Sequence, residues 1–403
     1  MSLLNRLREK DKKGLFTSTQ TSVTYQTGFL PFDYANGYKV TVRDMEENPI
    51  EEYFNTGLVG GTFITIVGKS GTAKTTFVVQ ATANIVRKFD NAFVMHYDLE
   101  QALTYTRIKD VTGLTQKELK EKYILKQEKN YIEDIADAVV AITKVKEEGG
   151  DEFKYDTGLK DEFNNPIKAY VPTYVILDSI PTVTSKDAQE TMEGQTYANR
   201  AAKALAQFYK KLMPVIKTYN ITVVAINHIN TKIEMNNFTK TQPQLMYLKM
   251  DESVPGGNAP IYYSHNFFKF VSNGKYVKED DGFDGFKIRC EILKSRTNKA
   301  GKCCYLAYNQ KTGFDPMYTL VEYANDNSLI TGRNPKRSFI KNPDVKFDSR
   351  NFTQDLAEQP ELKLAALDTC VDHLEQTLIE DNGENKMSMA EYMEIVNNLC
   401  NVG

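Results

Sequence analysis

Gly61-Thr62-Phe63-Ile64-Thr65-Ile66-Val67-Gly68-Lys69-Ser70-Gly71-Thr72-Ala73-Lys74-Thr75-Thr76 is the stretch on which the reading of this chain turns. An apolar, β-branched run, Phe63 to Val67, stops at a glycine, and a short loop follows. Lys74-Thr75 then open a helical pattern that continues through Phe77, Val78 and Ala81. Strand, loop and helix in that order are what a phosphate-binding loop requires. The backbone N–H groups from Gly68 through Lys69, Ser70, Gly71, Thr72, Ala73, Lys74, Thr75 and Thr76 face an anion at the start of the helix. Lys74 is placed to reach the β- and γ-phosphates, and the Thr75 hydroxyl to hold Mg²⁺, so ATP and Mg²⁺ are the expected ligands. Ala73 departs from the G-x-x-x-x-G-K-[ST] pattern, standing where the second glycine would be. Its methyl group is costly if the backbone there needs a positive φ, and harmless if the residue is already helical.

The chain of 403 residues is long enough for one large α/β domain with appendages, or for two domains. Hydrophobic residues make up 41%, so a sizeable core is possible. No apolar run approaches the roughly 18 residues that span a bilayer, and the first residues lack the apolar segment of a signal peptide. The cysteines Cys290, Cys303, Cys304, Cys370 and Cys400 are odd in number and show no metal-ligand spacing. They fit a reduced, cytoplasmic setting. A net charge of −3 excludes a generally basic nucleic-acid binder, so any contact with DNA must come from a local patch.

Apolar runs alternate with helical segments from about residue 31 to 330, which predicts a mainly parallel sheet with crossover helices. Candidate strands are Phe63–Val67, Ala92–Tyr97, Tyr174–Leu177, Thr222–Ile226, Phe267–Val271, Phe286–Leu293 and Cys303–Tyr308. Candidate helices are Thr75–Lys88, Tyr131–Glu147 and Gln195–Tyr219. Residues 1–35 are read as a polar arm, 36–330 as the main α/β core, and 331–403 as an acidic, helical region. In that last region Leu362, Leu364, Leu367, Val371, Leu374 and Leu378 recur at helical spacing. The segment Tyr38–Asn55 is an insertion before the first core strand.

Three further strand ends carry polar groups. Tyr174-Val175-Ile176-Leu177-Asp178-Ser179 delivers a carboxylate to the sheet edge, where Asp178 would join the Mg²⁺ shell. Phe93-Val94-Met95-His96-Tyr97-Asp98-Leu99-Glu100 ends in acids, and Glu100 is placed to orient or deprotonate an attacking water. Val223-Val224-Ala225-Ile226-Asn227-His228 brings an amide and an imidazole to the same edge, as a sensor of the γ-phosphate or simply as a satisfied strand end.

In this order, the phosphate loop, Tyr97-Asp98-Leu99-Glu100, Val175-Ile176-Leu177-Asp178-Ser179, Ala225-Ile226-Asn227-His228, Gly256-Gly257-Asn258-Ala259 and Lys294-Ser295-Arg296 resemble the RecA recombinases, and among them the UvsX type of large phages. The likeness covers about residues 55–325. It implies a RecA-like P-loop NTPase core with an N-terminal oligomerisation arm and an acidic helical C-terminal region. It also implies roles: Glu100 activates water, Asp178 is the Walker B acid, and His228 couples the γ-phosphate to a DNA-binding loop. Lys294 and Arg296 would reach across a subunit boundary to a neighbour's ATP, and Arg107 is similar in position to an adenine-stacking side chain.

Two segments are expected to bind DNA. One is Thr184–Tyr197, with Lys186 in it and Arg200 behind it. The other is Asn230–Gly257, where Lys232, Lys240 and Lys249 interleave with Phe238 and Tyr247; lysines suit phosphates and aromatics stack on bases. Gly14-Leu15-Phe16-Thr17-Ser18-Thr19 resembles the tether by which some recombinases dock onto the next protomer. The function implied is an ATP-dependent recombinase that forms helical filaments on single-stranded DNA and exchanges strands with a homologous duplex, with a loader or single-strand-binding protein as a further partner and no membrane. A RecA-like hexameric helicase and a non-hydrolysing ATP-binding filament protein are the alternatives.

Overall fold

The computed structural model describes residues 22–128, 130–189, 194–231, 243–276, 283–333 and 335–382. Among them, nine strands form one central sheet: β1 (Phe63–Gly68), β2 (Phe93–Asp98), β3 (Tyr123–Lys126), β4 (Thr173–Asp178), β5 (Ile221–His228), β6 (Asn266–Lys275), β7 (Phe286–Lys294), β8 (Cys303–Asn309) and β9 (Gly313–Asp315). Their order across the sheet is β9-β8-β7-β6-β1-β5-β4-β2-β3. From β6 to β3 every neighbouring pair is parallel, whereas β6, β7, β8 and β9 run as an antiparallel meander. All seven strands expected from the sequence are present. The parallel ones are legible because a strand covered on both faces must be apolar almost throughout, while Phe286–Leu293 and Cys303–Tyr308 belong to the antiparallel meander.

Helices cover both faces. On one lie α1 (Leu30–Ala35), α2 (Lys74–Val86), α3 (Tyr105–Thr112) and α4 (Gln116–Lys122); on the other lie α5 (Ile132–Gly149) and α6 (Gly194–Ile216). The period-2 alternation of strand side chains sorts the core. Ile64, Ile66, Val224, Ile226 and Ile176 face the first layer, while Phe63, Val223, Ala225, Val175 and Leu177 face the second. Phe77 of α2 is the hub of the first layer. Its ring lies 4.9 Å from that of Phe32, 5.0 Å from Phe270, 5.5 Å from Phe29 and 5.7 Å from Phe314. Truncating such a ring to alanine costs roughly 3–5 kcal/mol, because the packed neighbours cannot close the cavity. α2 also holds the sheet edge: Gln80 donates to the Phe314 carbonyl at 3.1 Å and accepts from its N–H at 2.7 Å.

The structure differs from the sequence reading at both ends of the core. Ser22–Ala35, the described part of the expected arm, packs into the main core, with Phe29 and Phe32 buried and Asp33 accepting hydrogen bonds from Thr27 and Gly28. The region after 330 is not purely helical. Three short antiparallel strands, Ile330–Arg333, Lys336–Phe339 and Lys346–Asp348, pack with α7 (Pro316–Asp326) and α8 (Pro360–Asn382) around Tyr318, Phe339, Phe347 and Phe352. Of the leucines at helical spacing on α8, Leu362, Leu374 and Leu378 are buried but Leu364 is exposed.

Tyr38–Asn55 forms a hairpin (Tyr38–Arg43 with Pro49–Asn55), and a second hairpin joins Lys154–Lys160 to Pro166–Tyr170. Their tips share one sequence, Asp44-x-x-x-Asn48-Pro49-Ile50 and Asp161-x-x-x-Asn165-Pro166-Ile167, and one conformation. In each, the Asn N–H donates to the Asp Oδ1 at 2.8 Å, the Asp N–H donates back to the Asn carbonyl, and the residue before the Asn sits at φ 67° or 65°. The hairpins touch through Tyr53, whose hydroxyl donates to the Lys160 carbonyl at 2.7 Å.

Lys146 on α5 is buried among backbone acceptors and donates to the carbonyls of Val171 at 2.7 Å and Tyr219 at 2.8 Å. Burial pushes its ammonium down to about 7. The cost of desolvating that charge is therefore fully present below about pH 7 and fades as pH rises toward the ordinary lysine range, because only the unfolded chain keeps the proton there. Between about pH 7 and pH 9, wild type should gain thermal stability relative to Lys146→Met. A difference in melting temperature that does not change with pH would contradict this.

Candidate nucleotide-binding site

Parallel register sets the site. Gly68 of β1 pairs with His228 of β5, Ile226 with Asp178 of β4, and Asp178 with Asp98 of β2. The C-terminal ends of four adjacent strands thus lie along one edge, where open α/β sheets bind ligands. The loop Lys69–Ala73 turns from β1 into α2 at that edge. A Cβ on Gly68 would lie 2.5 Å from the Phe270 carbonyl oxygen and 2.7 Å from Thr72 Oγ1, so only glycine fits. Gly71 turns with φ 79°. Lys69, Ser70 and Gly71 are exposed, Thr72 is buried, and Thr75 and Thr76 are half-buried.

Lys74 is buried, and its ammonium donates to the carbonyls of Gly68 at 3.1 Å and Lys69 at 2.9 Å. Burial lowers its proton affinity, and the charges of Asp178 and Glu100 partly offset that. The first turn of α2 carries no acid, so the positive end of the helix dipole meets no carboxylate of its own. Thr75 Oγ1 donates to Asp178 Oδ2 at 2.6 Å. The peptide bond between Asp178 and Ser179 is cis. Glu100 Oε1 accepts from Ser179 Oγ at 2.5 Å and faces His228 Nε2 at 3.2 Å. Asn227 is fully buried; its amide donates to the Pro255 carbonyl at 2.8 Å and its Oδ1 accepts from the His228 N–H.

These residues fit a phosphate chain with a divalent cation. The glycine cradle leaves backbone N–H groups open to an anion, a lysine stands beside it, and a hydroxyl and a carboxylate meet 2.6 Å apart. Among the described residues no cluster of three or more His, Cys, Asp or Glu side chains could hold a metal by itself. A Mg²⁺ ion would therefore complete its oxygen shell with water and phosphate, as this hard cation commonly does.

Sequence reasoning missed several supports of the site. Asp98, buried, accepts from the Leu103 N–H at 2.8 Å and from Gln127 Nε2 at 2.7 Å, fixing the turn that presents Glu100. Ser179, which holds Glu100, was legible only as the residue after an acid.

The remaining expected residues lie elsewhere. Arg107, half-buried on α3, donates from Nη1 to the Lys311 carbonyl at 2.7 Å. Lys186 is 2.6 Å from Asp134, and Arg200 donates to the Asp187 carbonyl at 3.0 Å. The segment Thr184–Tyr197, read as a DNA loop, includes a short helix at Lys186–Gln189 and the start of α6. Lys249 and Tyr247 are exposed, the Tyr247 ring lying against Gly301 in the turn between β7 and β8. Lys232, Phe238 and Lys240 fall outside the described residues, as does Gly14–Thr19.

Lys294 and Arg296 sit at the opposite end of the sheet from the phosphate loop. Lys294 ends β7, which runs antiparallel to β6, and pairs with Phe267 beside Thr65. That is three residues, roughly 10 Å along the strand, before the loop begins at Gly68. Lys294 donates to the carbonyls of Ile261 at 2.8 Å and Tyr262 at 3.1 Å, and Arg296 donates to that of Tyr262 at 2.9 Å. Burial, with Arg296 nearby, lowers the Lys294 ammonium to about 8. His265, half-buried near Arg296, Lys217 and Lys294, is pushed down to about 4, chiefly by desolvation.

Sheet, loop and helix together define a mixed α/β protein with a strand–loop–helix turn at the edge of a large, mostly parallel central sheet. No family model matches the chain. It is similar to RecA of Ruminococcus albus, 22% identical over 193 residues, 44% of this chain and 46% of that protein. It is likewise similar to RecA of Thermus aquaticus, 23% identical over 150 residues, covering 37% of this chain and 41% of the relative. The recombination and repair protein of enterobacteria phage T4 is 24% identical over 152 residues, 37% of this chain and 35% of the phage protein. The chain therefore spans less than half the length of each of these relatives.

Ala73 decides the question its sequence left open. It is the residue before α2, and it stands at φ 59°, ψ 23°, in the left-handed region. A Cβ there costs roughly 1–2 kcal/mol. Ala73→Gly should therefore raise stability by about 1 kcal/mol in denaturant unfolding, the flexibility of glycine in the unfolded chain offsetting part of the relief. A destabilised Ala73→Gly protein would show that the turn is not strained.

Proposed function

We propose that the chain is a DNA-dependent ATPase of the RecA recombinase kind, which assembles as a helical filament on single-stranded DNA and pairs it with a homologous duplex. The observation that supports this reading is the division of the candidate residues between two ends of the sheet. Lys74, Thr75, Asp178, Glu100 and His228 gather at one edge, while Lys294 and Arg296 stand at the other. A polymer of head-to-tail subunits would bring the two ends together.

In this reading the loop N–H groups and Lys74 hold the β- and γ-phosphates of ATP. Thr75 and Asp178 hold Mg²⁺, which would neutralise phosphate charge. Glu100 accepts a proton from, or orients, the attacking water at Oε1. That oxygen holds Ser179 and faces His228, so movement of the His228 strand end would change how freely Glu100 acts. β5 leads directly into the segment that begins at Asn230, which gives nucleic acid bound there a mechanical route to the base. Lysines and aromatics of that segment, Lys232, Phe238, Lys240, Tyr247 and Lys249, together with Lys186 and Arg200, are the proposed DNA contacts. The guanidinium of Arg107, which holds the Lys311 carbonyl, would serve the adenine. Lys294 and Arg296 would stabilise charge on a neighbour's phosphates.

Electron microscopy with single-stranded DNA and a slowly hydrolysed ATP analogue tests the whole reading: helical filaments are expected, and closed rings would favour a helicase instead. Glu100→Gln should bind ATP and DNA but hydrolyse roughly 10²–10⁴-fold more slowly in a DNA-stimulated assay. Hydrolysis within about twofold of wild type would remove Glu100 from the chemistry. A mixture of Lys294→Ala/Arg296→Ala protein with Lys74→Ala protein should recover part of the activity that each lacks, since a mixed interface joins an intact loop to intact cations. Co-assembly without any recovery would place the basic pair outside the ATP site.

A further inference from the structure

Behind Asp178 lies a polar pair that packing alone does not require. His96, the fourth residue of β2, is wholly buried, and Tyr123 at the start of β3 is buried beside it. The Tyr123 hydroxyl is 2.7 Å from His96 Nδ1. The other ring nitrogen, Nε2, has no hydrogen-bond partner among the described residues. It faces Asp178 Oδ2 at 3.8 Å. This is the same oxygen that accepts from Thr75. Register explains the meeting: His96 pairs with Ile176 of β4, two residues before Asp178, so both side chains leave the same face of the sheet.

The carboxylate selects the tautomer. A lone pair on Nε2 would point at an anionic oxygen, whereas an N–H there is attracted to it. With the proton on Nε2, Nδ1 is the acceptor and Tyr123 must donate. Burial, with the nearby charges of Asp178 and Asp98, holds the Tyr123 phenol well above its ordinary range, so it keeps the proton it donates. An apolar residue at 96 would fill this interior without the cost of desolvating an imidazole. The imidazole is better accounted for by what it faces.

We infer that Tyr123 and His96 form a buried relay, in which Tyr123 orients the imidazole so that its Nε2–H attracts Asp178 Oδ2 electrostatically at 3.8 Å, and are positioning residues for the cation that Asp178 and Thr75 would bind. This rests on the reading of Asp178 as the acid of a Mg²⁺ site. Groups that orient a metal's ligands commonly change metal affinity 10- to 100-fold when removed.

The test uses the full chain as wild type, Tyr123→Phe, His96→Phe and Asp178→Asn, each checked by thermal unfolding. Binding of a fluorescent ATP analogue is followed against Mg²⁺ concentration, and again in chelator. Tyr123→Phe and His96→Phe should raise the half-saturating Mg²⁺ about tenfold and leave binding in chelator unchanged. If both fold and keep the wild-type Mg²⁺ dependence while Asp178→Asn loses it, the relay is overturned and the metal site stands. If Asp178→Asn also behaves as wild type, the metal reading fails and takes the relay with it. Should His96→Phe not fold, Tyr123→Phe, which keeps the ring and removes one hydroxyl, decides alone.

Discussion

The hydrogen bond from Thr75 to Asp178, 2.6 Å long, ties the first turn of α2 to the end of β4. Everything at the candidate site is arranged around that join. It can form only because β1, β5, β4 and β2 run parallel and in register, so that a loop leaving β1 arrives over the end of a strand two places away. The cores on both faces enforce that register. A slip of one residue would turn Ile64, Ile66, Val224 and Ile226 from one helical layer to the other and expose polar ends to the wrong side. The packing around Phe77 therefore does more than stabilise: it fixes the helix whose N-terminus borders the candidate site.

The electrostatics of the site are set by burial as much as by partners. Lys74 gives up proton affinity on entering the loop, and two carboxylates restore part of it. Lys294 and His265 at one other place, and Lys146 at a second, are lowered in the same way. Lys294 differs from Lys146 in having another cation beside it, Arg296, and in remaining partly exposed. Two like charges are held together against the carbonyls of Ile261 and Tyr262. Such an arrangement is poorly compensated within one subunit, and an anion brought from outside would relieve it.

The parallel strands were legible because burial on both faces makes them continuous apolar runs, and the polar residues at their ends marked Lys74, Glu100, Asp178 and His228 as candidates. What escaped was short, charged or dependent on strand order. β3 is four residues, preceded by Lys122 and ending in Lys126, and lies at the sheet edge where one-sided burial weakens the pattern. The roles of Asp98, Ser179, Gln127 and Tyr123 depend on which strands become neighbours, which no local spacing reveals. Lys186 and Arg200 were read from charge and position, but their partners, Asp134 and the Asp187 carbonyl, were not foreseeable from that pattern. The backbone at Ala73 was undecidable from sequence because alanine is at home in the right-handed helix, and only the loop around it imposes the other hand.

The paired hairpins have a practical use. Each tip is closed by its own Asp and Asn, so the turn owes little to the rest of the molecule. Met45 stands at one tip, 99% exposed. The chain contains no tryptophan. A single tryptophan at that tip would be the molecule's only indole, a fluorophore on a turn that holds its own shape. It would report what approaches the hairpin while leaving the residues of the candidate site as they are.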